Sequence, residues 1–190
     1  MKRENIKLIN ICDENYPEKL KQIYDKPISL YVKGNVEILN SFSLAVIGCR
    51  QNSKYGEKVA KAVTKGIVKN NIVTISGLAR GIDSICHIET LKNSGKTIAV
   101  IGSSLDIIYP SENENLVDEI INNRGCIISE YPFGTKPEKM NFPARNRIIS
   151  GLSNGIIVIE AKKKSGTMTT VDFALEQGKN VFTIPRKYNK

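Results

Sequence analysis

Five short segments of the sequence gather glycine, small hydroxyl residues and cations: Gly48-Cys49-Arg50-Gln51-Asn52-Ser53, Ser76-Gly77-Leu78-Ala79-Arg80-Gly81, Gly102-Ser103-Ser104, Asn141-Phe142-Pro143-Ala144-Arg145-Asn146-Arg147 and Lys162-Lys163-Lys164-Ser165-Gly166-Thr167. Glycine lets backbone amides approach a ligand closely, hydroxyls add donors, and a helix amino terminus adds partial positive charge. The chemistry this combination suits is recognition of phosphate. One such turn says little, since Gly and Ser are common in any loop. Several on the same edge of a fold, most of them carrying Arg or Lys, predict an anion-binding rim.

Catalytic and nucleotide signatures are missing where they would be expected. No G-x-G-x-x-G follows the first apolar run, and Gly95-Lys96-Thr97 lacks the earlier glycine of a P-loop and enters a strand instead of a helix. There is no G-x-S-x-G elbow. His87, the only histidine, falls inside a helical pattern and reads as a packed or hydrogen-bonded structural group rather than a general base. Asp83, one turn earlier, either orients it or caps the helix. Cys12, Cys49, Cys86 and Cys126 lie far apart without a C-x-x-C pair, which predicts free thiols and no metal site. No enzyme activity and no cofactor are expected.

The elements that must hold the rim follow from periodicity. Apolar, β-branched runs at residues 44–47, 72–75, 97–101, 126–129, 155–160 and 180–184 lack strict alternation, as strands buried on both faces of a parallel sheet do. Amphipathic stretches at 54–69, 82–93, 113–123, 143–152 and 169–177 lie between them. Six strands joined by five helical crossovers predict an α/β, Rossmann-like, mainly parallel sheet with helices on both faces. In such a sheet a ligand lies beyond the carboxyl ends of the strands, where the five segments fall. Residues 1–40 read as an amino-terminal extension of short strands at 6–11 and 28–32, flanking a brief helix after Tyr16-Pro17 and packed on the core of residues 41–190.

Composition sets the partners. The 190 residues carry 28 Lys and Arg against 19 Asp and Glu, a net charge of +9 with a pI near 9.4. The excess is spread through both halves of the chain. It favours a polyanionic partner, or marks a Lys-rich soluble protein. Glu4, Lys7 and Asp13 interrupt any signal-peptide core, and no apolar run approaches the ~20 residues that span a bilayer, so a cytoplasmic protein without membrane contact is expected.

Taken in order, Val46-Ile47-Gly48-Cys49-Arg50, Ser76-Gly77-Leu78-Ala79-Arg80-Gly81-Ile82-Asp83 with His87, Asp106 through Tyr109-Pro110, Ser129-Glu130-Tyr131-Pro132, Asn141-Phe142-Pro143-Ala144-Arg145-Asn146-Arg147-Ile148-Ile149-Ser150-Gly151 and Ala174-Leu175-Glu176-Gln177-Gly178 resemble the DprA/Smf DNA-processing family from about residue 16 to residue 185. The resemblance implies an extended Rossmann fold that binds single-stranded DNA, forms a homodimer, protects the strand and helps load RecA during natural transformation or related recombination. It places Arg50, Lys139 and Arg145-Asn146-Arg147 at or near DNA-contacting positions. With them, Gly48, Ser53, Ser76, Gly77, Arg80, Lys164, Ser165, Gly166 and Thr167 make up the expected DNA-binding rim. Phe142 either offers a stacking face to an unpaired base or plugs the core beside Pro143. Arg145 and Arg147 are open to DNA or to a salt bridge with Glu130 or Glu160; the expectation is one of each.

The sequence also departs from the family. Cys49 replaces a common Ser, and Ser111 stands where some members carry Lys. The usual amino-terminal helical and carboxy-terminal winged-helix-like domains are not expected in this chain, so functions carried by them are not inherited. The competing reading is an enzyme, a LOG-type nucleoside-monophosphate phosphoribohydrolase, whose P-G-G-x-G-T-x-x-E signature would align on residues 162–170 and fails at Thr170, where the catalytic Glu would stand. A nucleotide-sensing Rossmann module is a third. The last strand, at a sheet edge, adds to the expectation of a homodimer.

Overall fold

Alternation of β-branched runs with amphipathic stretches becomes alternation of strands and helices in the computed structural model, which describes residues 6–185. In chain order these are β1 (Ile6–Asn10), α1 (Glu18–Lys21), β2 (Ser29–Gly34), β3 (Ser43–Gly48), α2 (Lys54–Lys69), β4 (Val73–Ser76), α3 (Ile82–Lys92), β5 (Thr97–Val100), α4 (Glu114–Asn122), β6 (Cys126–Ser129), α5 (Asn141–Leu152), β7 (Gly155–Glu160), α6 (Gly166–Glu176) and β8 (Asn180–Thr183), with 3-10 turns at Val36–Asn40 and Ser111–Asn113. Helix α5 starts two residues before Pro143, because proline in a first helical turn gives up an N–H that would have no partner there.

One sheet runs in the order β1-β2-β6-β5-β4-β3-β7-β8. The six strands from β6 to β8 are parallel, and β2 joins β6 antiparallel with β1 outside it. The sheet therefore has two strands more than the six expected, because the amino-terminal extension adds its strands to the edge. Its side chains enter the common core: Tyr16, Leu20, Leu30 and Val32 are fully buried in one cluster with Ile128, Ile148, Ile149 and Leu152. Strand β8 forms the opposite edge.

Strand order reverses direction at β3, with β4 on one side and β7 on the other. Helices α2, α3 and α4 pack on one face, where Val46, Ile82 and Cys86 make one apolar cluster and Ala99, Leu116 and Ile127 another. Helices α1, α5 and α6 pack on the other. That arrangement follows from right-handed crossovers leaving β3 in both directions. It brings the carboxyl ends of β3, β4, β5, β6 and β7 to one rim. Among the described residues no helix is long and apolar enough to cross a membrane. Cys86 and Cys126 are buried, Cys49 is half-buried and Cys12 is exposed in the turn after β1; all four are free thiols. The terminal segments Met1–Asn5 and Arg186–Lys190, both basic in sequence, lie outside the described residues.

Candidate nucleic-acid interface

The rim divides into an open pocket and a closed turn. The pocket sits beyond β3, β4 and β5, against the first turn of α5, with walls from Arg50, Ala79, Arg80, Tyr109, Pro110 and Phe142 and a floor from Gly77, Gly102 and Arg145. Its glycines are required by close approach. A side chain on Gly102 would meet the Phe142 ring at 3.1 Å, and one on Gly77 would meet Arg145 Nη1 at 2.6 Å and Asp83 Oδ2 at 2.7 Å. The Arg50 guanidinium carbon lies 5.3 Å from the centre of the Phe142 ring, within cation–π range. Tyr109, preceding a cis peptide bond to Pro110, leans on the same ring at 5.6 Å and 45°. Arg50 is exposed, and Phe142 and Tyr109 are partly so. The pocket thus presents an aromatic surface under a solvent-facing cation.

Beneath it the polar groups are bound to one another. Buried Arg145 donates through Nη1 to the Gly77 carbonyl at 2.6 Å and to the Val100 carbonyl, and through Nε to Asn146 Oδ1 at 3.2 Å. Burial lowers its pKa to about 10, opposed by the nearby Asp83 carboxylate. Asp83 accepts from the Gly77 and Ala79 amides at 3.2 and 3.4 Å, and burial raises its own pKa. Asn146 carries the network to α6 by donating to the Gly166 carbonyl at 3.1 Å. Arg147 points the other way: it grips Glu130 with two bonds of 2.6 and 2.8 Å and reaches the Asp25 carboxylate at 3.0 Å. Of the two carboxylates considered for these arginines, Glu130 takes Arg147. Arg145 is tied to main-chain carbonyls at the pocket floor and Arg147 into an ion pair away from it, and both side chains are buried.

The closed turn lies at the strand-order reversal, between β3 and β7. Ser53 caps α2 by accepting from the Gly56 amide at 3.0 Å. The Glu160 carboxylate then fills the turn, accepting from the Ser53 amide at 2.9 Å and its hydroxyl at 3.1 Å. A side chain on Gly56 would collide with the Glu160 carboxylate. Where a Rossmann-like nucleotide site would seat a phosphate, this chain seats its own carboxylate. Cys49 lies beside it; burial, with Glu160 second, pushes its thiol pKa up.

The remaining expected positions separate by exposure. Lys139 and Lys164 are exposed, as are Lys162, Lys163 and Gly166. Arg80 is exposed but holds Glu112 in a two-pronged pair at 2.6 and 2.7 Å. Ser76 is buried, donating to the Val46 carbonyl, and Thr167 is buried. Ser165 bonds the Lys162 carbonyl at 2.8 Å. Gly48 packs tightly on Ile82. His87 is fully buried, its Nδ1 2.8 Å from the Thr97 hydroxyl, and burial drives its pKa down to about 3. Sequence reasoning counted Gly102 in a rim segment and met Tyr109 only in the family resemblance; it did not foresee Tyr109 as a pocket wall, Glu112 as the partner of Arg80, or Glu160 as the partner of Ser53 instead of an arginine. The Tyr109-Pro110 pair in the loop after β5 was a visible signal for the first; the carboxylate partners had none.

These features match a described family. The model of DNA recombination-mediator protein A matches residues 7–190. The chain belongs to that family. DNA processing protein DprA of Streptococcus pneumoniae is 48% identical over 176 residues, covering 93% of this chain and 62% of the relative. DprA of Bacillus subtilis is 43% identical over 185 residues, covering 97% and 62%. Protein Smf of Escherichia coli is 40% identical over 185 residues, covering 97% and 50%. The chain of this mediator-family protein thus spans 50–62% of the length of these curated relatives.

Solved structures agree on the fold. DprA from Streptococcus pneumoniae superposes with a TM-score of 0.91 at 45% identity, over 97% of this chain and 64% of that one. DprA from Helicobacter pylori, described for its single-stranded DNA binding mode, superposes with a TM-score of 0.87 at 32% identity, over 97% and 83%. A molybdenum cofactor binding protein from Rippkaea orientalis, at 21% identity and TM-score 0.54, shares the Rossmann-like fold alone.

Proposed function

We propose that this chain binds single-stranded DNA through the open pocket, without chemistry or cofactor, as a cytoplasmic recombination mediator that shields the strand and helps load RecA. The observation that carries the reading is Arg50 stacked on the accessible Phe142 ring, with exposed Lys139 and Lys164 on the same rim. An unpaired base has a face to lay on an aromatic ring and its phosphates a cation to meet, whereas bases in a duplex are already stacked. Arg50, Phe142, Lys139 and Lys164 are the contacts; Gly48, Gly77, Asn146, Arg145 and Arg147 build and brace the surface beneath them. Ser53, Ser76 and Thr167 serve the fold. Residues 41–190 carry the interface and residues 1–40 widen the sheet that supports it. The DprA of Helicobacter pylori, matched across most of its length, supports the same ligand. The functional unit is a homodimer, supported by the unpaired edge of β8.

Titration with fluorescent oligothymidine at two salt concentrations, beside a duplex of equal length, tests the reading. The single strand should bind more tightly, and affinity should fall steeply with salt. Equal affinity for both forms, or indifference to salt, overturns it. Light scattering at micromolar concentration should give twice the 21.1 kDa of the chain. Incubation with AMP should release no adenine.

A further inference from the structure

Carboxylates on a nucleic-acid rim need explaining, because each repels the phosphates the rim would bind. Among the described residues, most of those here have structural donors. Glu130 is held by Arg147, Glu160 by Ser53, and Asp83 by the Gly77 and Ala79 amides. Asp106 accepts from the Gly134 amide. Glu112 differs. It stands in the 3-10 turn just after Tyr109-Pro110, half-exposed, and its bonds run to Arg80, which with Arg50 is one of the two exposed guanidiniums of the open pocket.

We propose that Glu112 is an internal competitor for DNA, an affinity-setting residue that occupies Arg80 in the free protein and yields it to a phosphate when a strand lies across the pocket. This inference rests on the single-stranded DNA reading above and names a regulator of that site. The geometry suits exchange. Both bonds to Glu112 run parallel from one edge of the guanidinium, Nε to Oε1 at 2.7 Å and Nη2 to Oε2 at 2.6 Å, which is also the way arginine grips two oxygens of a phosphate. Both side chains are more than half exposed, so water screens the pair and little holds it closed. Burial does not fix either partner, unlike the Arg147–Glu130 pair, where Arg147 is 7% exposed. Arg80 thus sits at the pocket wall already shaped for an oxyanion, with a carboxylate standing in for one.

A double-mutant cycle tests this. Glu112→Gln should bind oligothymidine several-fold tighter at low salt, with the plot of log K against log salt steeper by about 0.7, the increment of one more phosphate neutralised on a single strand. The gain must pass through Arg80, so Arg80→Ala and Arg80→Ala/Glu112→Gln should bind alike. If Glu112→Gln gains as much in the Arg80→Ala background as in the parent, the carboxylate acts only by its field and the proposal is overturned. Weaker binding by Glu112→Gln overturns it too, because Glu112 would then orient Arg80 instead of competing for it. A parent protein that fails to bind oligothymidine removes the DNA reading and this inference together; a parent that binds without an Arg80-dependent gain removes only the inference.

Discussion

The open pocket and the closed turn share a rim, a strand-to-helix geometry and much the same residue types, yet one faces solvent with a cation over an aromatic ring and the other is filled by Glu160. Gly48 ends β3, and Arg50 and Ser53 follow in the loop after it, so within five residues the chain passes from the first condition to the second. The difference lies in what arrives from distant strands. Glu160, 107 positions away from Ser53, supplies the carboxylate that closes the turn, whereas Phe142 and Tyr109 bring rings that leave the pocket accessible. Glycine, hydroxyls and cations make an anion site only where the protein has not furnished its own anion.

The largest effect that would sharpen this contrast comes from the buried side. Arg147→Ala leaves Glu130, itself a quarter exposed, without its partner, and breaking a pair whose guanidinium is buried costs about 3 kcal/mol, the low end for buried pairs. For a chain of this size that lowers the melting temperature by roughly 10 °C, readable by calorimetry. Affinity for oligothymidine, measured well below that temperature, should change little. A variant that melts like the parent but loses DNA would place Arg147 at the interface instead.

On the open side the expected losses fall on binding. Phe142→Ala should weaken oligothymidine binding by about tenfold or more, as removal of one stacked base does, and Phe142→Tyr should restore it. The salt slope should stay with the parent, because no charge is lost. Arg50→Ala should lose both affinity and about 0.7 of slope, with a melting temperature near the parent's since its side chain is exposed. If the two variants lose slope alike, the division of labour between ring and cation is wrong.

Protonation offers a test of the buried core behind the rim. Burial holds His87 neutral down to about pH 3, while in the unfolded chain it takes up a proton near 6.5. Between those values the unfolded state binds more protons, so stability rises with pH through the window and is lost as pH falls below 6.5, by up to about 1.4 kcal/mol per pH unit. His87 is the only histidine, and His87→Asn keeps a group near the Thr97 hydroxyl while removing the titration. Urea melts between pH 6.5 and 4.5 should show a flatter dependence in the variant than in the parent; parallel slopes would mean that His87 is protonated in the fold.

The smallest effect belongs to the closed turn. Ser53→Ala deletes the α2 cap and one bond to Glu160, costing about 1 kcal/mol of stability. Oligothymidine binding should be unmoved. Loss of affinity there, three residues from Arg50, would merge the two regions into one site.

The sequence alone determined the alternation of elements, because apolar period is a local property: every parallel strand lies within one or two residues of its apolar run, and helix α2 has the bounds its pattern predicts. It also placed the five ligand-type segments on one edge, since parallel strands with right-handed crossovers leave all their carboxyl ends together. The family resemblance, carried by ordered motifs, was legible for the same reason. Two things needed the tertiary structure. The amino-terminal strands could be seen, but their antiparallel pairing beside β6 depends on hydrogen bonds to a strand almost a hundred residues later. The roles of Arg145, Arg147, Arg80 and Ser53 depend on partners at Val100, Glu130, Glu112 and Glu160, and a charged side chain is a ligand or a brace according to which opposite charge or carbonyl the fold sets within 3 Å of it. No local pattern encodes that distance.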